Sequence, residues 1–188
     1  MARLTAVSAT PVTPRGIELI EEFVNSADLE RETDALATTD GLRGWLADRD
    51  LLPAGAGVTG GDVPRAQQVR EAIRSLLQAN SGEPLDSSAV ASLNAAAEQA
   101  HLRVRFGDDG NAELVPDEHG VPGALAQILA LTYTAMADDT WSRLKVCREH
   151  TCQWAFYDHS KNRSRTWCSM RVCGNRTKAR TYRSRRRG

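Results

Sequence analysis

The chain has 188 residues, 41% of them hydrophobic and 26% charged, and its zero net charge hides two opposite parts: residues 1–140 carry 10 Lys+Arg against 22 Asp+Glu, whereas residues 141–188 carry the other 14 Lys+Arg against only Glu149 and Asp158. The opening MARLTAVSATPVTPRG lacks the apolar run of a secretory signal. The least polar stretch, Gly123 to Ala137, spans 15 residues and contains Gln127 and Thr132, short of the ~20 residues that cross a bilayer, so a cytoplasmic protein with no membrane partner is expected.

Along the chain, Thr13 and Pro14 precede Ile17, Ile20, Phe23 and Val24 at helical spacing, which predicts a capped helix over about 14–25. Thr39 is placed to cap a second helix with Leu42, Trp45 and Leu46 on one face, ending before Pro53 and the glycine-rich loop to Gly61. Asp62 then caps a third, with Val69, Ile73, Leu76 and Leu77 inward, closed by Gly82 and Pro84. An alanine-rich helix from Asp86 or Ser87 runs to about Ala100. Leu102, Val104 and Phe106 alternate with Arg103 and Arg105, and 112–115 reads as the return strand of a hairpin across Gly107–Asn111. A fifth helix, about Val121 to Trp141, carries Leu125, Ile128, Leu129 and Met136 as the core of this part. The expected fold is mainly α with a small β-hairpin: a helical N-terminal domain, 1–140, and a small C-terminal zinc-finger module, 141–188, with a four-cysteine site, a short hairpin and a helix.

All four cysteines fall within 27 residues, as Cys147-x4-Cys152-x15-Cys168-x4-Cys173. Two close pairs separated by a moderate loop suit a tetrahedral ion, and thiolates suit zinc, which is borderline-soft and redox-inert. Disulfides would require an oxidising compartment. His150 and His159 are alternative donors, but four cysteines already fill one site, and a closed four-thiolate site leaves no position for water, so one structural Zn2+ is expected. With few core residues in this module, zinc replaces apolar burial, and a chelator is expected to unfold the segment selectively. Gly174, lacking a Cβ, is expected to let the backbone turn around the metal.

After Cys173, Arg176, Arg180, Arg183 and Arg187 recur at i, i+4, i+7 and i+11, one stripe of a helix. Such like charges repel unless an anionic partner compensates them. Lys161, Arg163 and Arg165 form a second basic cluster beside Ser160, Asn162 and Ser164, which can donate to phosphate oxygens. The competing reading is a tail that neutralises the acidic N-terminal part. Trp154, Phe156, Tyr157 and Trp167 are assigned mainly to the module's core.

The segment C-x4-C-Q-W-A-F-Y-D-x-S-K-N-x-S-R-x-W-C-S-M-x-x-C-G-N-R-x-K-A-R resembles the CGNR zinc finger, whose signature falls here on Cys173, Gly174, Asn175 and Arg176. Residues 19–52 resemble the alanine-rich N-terminal ABATE domain that accompanies this finger in bacterial proteins described as stress-induced transcription regulators. The resemblance implies DNA as the partner, contacted by Asn175, Arg176, Lys178, Arg180, Arg183 and Arg187 together with Lys161, Arg163 and Arg165. It also implies an N-terminal domain that senses a small-molecule effector or a partner.

Asn25, Asp28 and Trp45, near predicted helix ends, are the candidate effector contacts, with capping and core packing as the favoured competing reading of each. An RNA-binding or translation-associated finger is the alternative, although a basic helix fits a B-form major groove better than the deep, narrow A-form one. The N-terminal part carries no glycine-rich phosphate loop, no nucleophile motif and no cysteine, so no enzyme is expected. A homodimer presenting two half-sites is expected on energetic grounds.

Overall fold

The computed structural model describes residues 14–53 and 55–186. The first helix, α1 (Pro14–Val24), buries Ile20, Phe23 and Val24 completely on one face. The proposed Thr13 cap lies outside the described residues. Next comes a two-residue ladder that the sequence did not signal, β1 (Ala27–Asp28) antiparallel to β2 (Thr33–Asp34). α2 (Thr39–Ala47) is capped by Thr38, whose hydroxyl accepts from the Gly41 N–H at 3.0 Å, one residue ahead of the expected Thr39.

α3 (Asp62–Asn80) begins without a side-chain cap. The Asp62 carboxylate turns back to take the N–H and hydroxyl of Thr59 at 2.8 and 2.7 Å. α4 (Ser87–Gln99) is capped by Asp86, which accepts from Ser88 N–H at 2.8 Å. The predicted hairpin forms as β3 (Leu102–Phe106) against β4 (Ala112–Pro116), with Val104 opposite Leu114. α5 (Gly120–Ala137) stops four residues short of Trp141, because Asp138 captures the Thr140 N–H and hydroxyl and Asp139 adopts φ 66°. Its Leu125 and Ile128 are buried, but Met136 is exposed, contrary to its expected place in the core.

The core gathers α1, α2, α3 and α5 around Phe23, Trp45, Ile73 and Ile128. Burying these side chains is worth roughly 1.5–3 kcal/mol each relative to leaving them exposed. α5 is long and apolar enough by composition to cross a membrane, yet it packs against α1, α3, α4 and β4.

Two buried arginines on α3 organise the polar seams. Arg70 forks onto Asp34 at 2.6 and 2.9 Å and so fixes the β1–β2 ladder. Arg74, 3% exposed, donates to the carbonyls of Val24 at 2.6 Å and Gln153 at 2.9 Å.

The C-terminal part starts with β5 (Leu144–Val146) paired antiparallel with β6 (Ala155–Tyr157). Side chains alternate across a strand, and this hairpin uses both faces. Leu144, Val146 and Ala155 complete the main core, while Phe156 joins the cysteines in a second one with Trp154 and Trp167 packed on it. The hairpin is thus a wall shared by two cores. α6 (Asn175–Arg185) follows a five-residue wide turn, Met170–Gly174.

Candidate metal centre and nucleic-acid interface

The cysteines sit where the chain turns tightly. Cys147 leaves the end of β5, its N–H bonded to Trp154 O at 2.9 Å, and the knuckle closes when the Cys152 N–H reaches Glu149 O at 2.8 Å. Cys168 lies in the loop after β6, and Cys173 in the turn that starts α6. The four Sγ atoms all lie within 4.8 Å of one another, with Cys152–Cys168 at 3.6 Å and Cys168–Cys173 at 3.7 Å. A tetrahedron with Zn–S bonds of ~2.3 Å has edges of about 3.8 Å, whereas a disulfide needs ~2.05 Å. The four cysteines therefore fit one zinc ion.

The chemistry of the donors agrees. Burial, reinforced by the neighbouring sulfurs, pushes the Cys152 and Cys168 thiols above their usual range and Cys173 up to about 12. Four clustered thiols, three of them buried and Cys168 half-buried, are not stable as thiolates together, and a divalent cation would supply the compensating charge. His150 and His159 point elsewhere: the first places Nδ1 3.1 Å from a Glu149 oxygen, and the second packs edge-on to Tyr157 at 4.8 Å. Gly174 has ordinary helical angles, φ −63° and ψ −45°. Its lack of a β-carbon serves packing instead, since a Cβ there would meet the Met170 sulfur.

Both acidic residues of the C-terminal part are fully buried. Glu149 docks α6 on the knuckle, accepting from Arg180 Nη1 at 2.7 Å and Thr177 Oγ1 at 2.8 Å, and the Arg180 bond holds its carboxyl down at about 2. Asp158 accepts from Lys145 Nζ at 2.8 Å and from the N–H groups of Ser160 and Arg165 at 2.9 Å each, which shapes the loop that carries the second basic cluster. Burial alone would raise the Asp158 carboxyl, but these donors hold it well below the usual carboxylate range. The exposed surface of the C-terminal part is consequently cationic.

The predicted basic residues take different positions. Arg176 pairs with Glu30 of the helical part at 2.6 Å, and Arg180 with Glu149. Arg163 reaches Asp139 at 3.1 Å and Ser142 Oγ at 2.6 Å. Arg165 stacks over Phe156 at 4.7 Å and donates to the carbonyls of Trp167 and Cys168, buttressing the metal loop. Lys161, Lys178 and Arg183 are exposed, and Asn175 donates to Arg171 O at 3.0 Å. Arg187 lies outside the described residues. Arg171, in the turn before α6, and Arg185, on α6 with the exposed Lys178 and Tyr182, are exposed too; a stripe counted from Arg176 passes over them because Arg176 turns to Glu30.

The three effector candidates are occupied by the fold. Asn25 clamps Ala155, donating to its carbonyl at 2.9 Å and accepting its N–H at 2.8 Å. Asp28 holds the turn N–H groups of Glu30 and Arg31 at 3.0 Å each. Trp45, 7% exposed, packs on Phe23 at 5.5 Å beneath Arg49.

A helical domain joined through a shared hairpin to a four-cysteine zinc finger defines the class. Comparison with protein families makes it specific: residues 143–186 match the CGNR zinc finger, and residues 18–139 match ABATE, the family described as "Putative stress-induced transcription regulator". The chain belongs to the ABATE family and carries a CGNR zinc finger. Comparison with curated proteins gives no match.

Proposed function

We propose that the protein is a zinc-dependent, DNA-binding transcription regulator in which residues 141–188 contact DNA and the helical domain, 1–140, receives an effector or partner. The observation that carries this reading is the burial of Glu149 and Asp158, the only carboxylate side chains of 141–188. With both inside, the finger offers a polyanion cations and hydroxyls without an opposing carboxylate of its own. The exposure of Asn175, Lys178, Tyr182, Arg183 and Arg185 on α6 supports a contact along a groove or backbone. Zinc holds that helix against the knuckle and takes no part in a reaction, in keeping with a non-enzymatic, cytoplasmic regulator.

For the effector, a recess of about 230 Å³ between α3, α4 and α5 supports the reading. It is lined by Val69, Leu125 and Leu129, with Arg65 and Glu118 among its polar groups. A homodimer would present two fingers, and the exposed Val104 and Phe106 of β3 are an apolar strip available for it. The test is selection of bound sequences from random duplex DNA with the full chain, repeated after chelation and against structured RNA. Enrichment of a duplex motif that vanishes without zinc is the expected result. Equal binding before and after chelation, or preference for RNA, refutes it.

A further inference from the structure

Away from α6, a recess of about 180 Å³ opens at the seam between the C-terminus of α3 and the finger, and four cations line it: Lys145, Arg148, Arg163 and Arg165. Among the described residues, no carboxylate lines it. Two segments of the finger frame it side by side, because the Arg148 N–H donates to Thr166 O at 3.2 Å while Lys145 Nζ bonds the Arg163 carbonyl.

The charges are not all compensated. Lys145 is answered by Asp158 at 2.8 Å and Arg163 by Asp139 at 3.1 Å. Arg148 and Arg165 form no salt bridge among the described residues, and the carboxylate of Glu21 meets the Arg165 charge only at longer range. Arg148 Nε donates to Ser81 O at 2.6 Å, and Arg165 donates to main-chain carbonyls. A carbonyl contact orients a guanidinium without cancelling its charge. The negative end of the α3 dipole meets part of this charge, but that is about half an elementary charge against two.

The place of Arg148 is also kept clear by the backbone. Gly82 adopts φ 93°, and a β-carbon there would run into the Arg148 guanidinium. Ser164 and Thr166 add hydroxyls on the same wall. Glu149 turns to α6 and its neighbour Arg148 turns to α3, so this recess is separate from the helix that the functional reading uses.

We propose that the recess is a phosphate-binding site that takes one tetrahedral oxyanion between Arg148 and Arg165, with Ser164 and Thr166 as hydroxyl donors. Each guanidinium keeps N–H donors beyond those given to the carbonyls of Ser81, Trp167 and Cys168, and such donors together with hydroxyls match phosphate oxygens. The phosphate is supplied either by a nucleic-acid backbone or by a free phosphate, and a test on the full, zinc-loaded chain separates the two. Thermal melting is followed with rising inorganic phosphate at constant ionic strength, alongside duplex DNA affinity as a function of salt, for wild type, Arg148→Gln and Thr166→Val. Zinc content serves as the fold control.

A rise in Tm with phosphate that Arg148→Gln weakens about tenfold or more in apparent affinity, and Thr166→Val weakens less, assigns a free phosphate. No phosphate response, combined with weaker DNA binding by Arg148→Gln and a salt slope smaller by about one, assigns a backbone phosphate. A phosphate response equal in all three proteins, or no response of either ligand, overturns the proposal. Charge removal on α6 (Lys178→Gln with Arg183→Gln) leaves the phosphate response intact, so failure of the DNA reading is distinguishable from failure of this site.

Discussion

Replacing Arg74 by methionine removes a buried guanidinium that ties α1, the β1 segment and the zinc knuckle to α3 while keeping most of the side-chain volume. The two short bonds, to Val24 O at 2.6 Å and Gln153 O at 2.9 Å, leave two acceptors without their donor, and the longer contact to Ala27 O at 3.4 Å contributes little. An unsatisfied buried acceptor costs about 1–3 kcal/mol. Part of that is offset because the charge no longer has to be desolvated, and Glu71, its half-exposed partner, keeps its bond from Arg70 at 2.8 Å. The net loss is about 2–4 kcal/mol, or roughly 5–15 °C in Tm for a chain of this length. Urea and thermal melts followed by far-UV circular dichroism, with zinc release read in parallel by a chromophoric chelator, measure it. Because Arg74 touches both the helical part and the knuckle, the two signals should shift together. A Tm within about 2 °C of wild type, or zinc release that stays put while the helical signal moves, refutes the reasoning.

Chelation of zinc should lower the melting temperature of the whole chain rather than unfold 141–188 alone, because Leu144, Val146 and Ala155 belong to the main core; two independent calorimetric transitions would contradict this. Burial tends to raise the Asp34 carboxyl, but its bonds from Arg70, Leu36 and Gln67 outweigh burial and hold it below the usual 3.8. A lowered carboxylate contributes stability that is present above the unfolded value and lost as the pH falls through the folded one. Asp34→Asn should therefore be less stable near neutrality and lose less stability below about pH 4, as read by urea melts across pH. Lys178→Gln combined with Arg183→Gln should reduce the salt slope of DNA binding by about two, from about −5 for five or six phosphate contacts, with unchanged Tm. Glu30→Gln, which releases Arg176, should tighten DNA binding by at most about fivefold in a titration at low salt.

Periodicity made the helices legible because one buried face recurs every three or four residues, and the four cysteines were legible because metal geometry constrains their spacing. What stayed hidden involves groups that act against their type. Arg70 and Arg74 are charged, so they read as solvent-facing on α3, yet both are nearly fully buried. Beside the local Glu71, partners distant in sequence, Asp34 and the carbonyls of Val24 and Gln153, make that possible. A structural role for Asn25 is the favoured reading of its position near a helix end, but its two bonds to Ala155 depend on a strand 130 residues away. Likewise, the arginine stripe was real as a pattern, but Glu149 and Glu30 decided which way it faces.

That orientation bears on how the finger would engage a phosphate backbone under the proposed function. Arg180 holds a carboxylate that is fully buried, and removing it would leave an uncompensated charge inside the knuckle, so it stays with Glu149. Arg176 is different: its pair with Glu30 has both side chains about a third or more exposed, at 35% and 43%, and such pairs contribute about 0–1 kcal/mol. A charge-assisted bond to a phosphate is worth about 1.5–3 kcal/mol. Phosphate therefore outcompetes Glu30 for Arg176 but not Glu149 for Arg180. If the finger binds DNA as proposed, the contact between the helical domain and Arg176 would on this balance lower the affinity modestly without blocking it. Any ligand that shifts the β1–β2 turn carrying Glu30 would change that affinity within the same limit of about 1 kcal/mol.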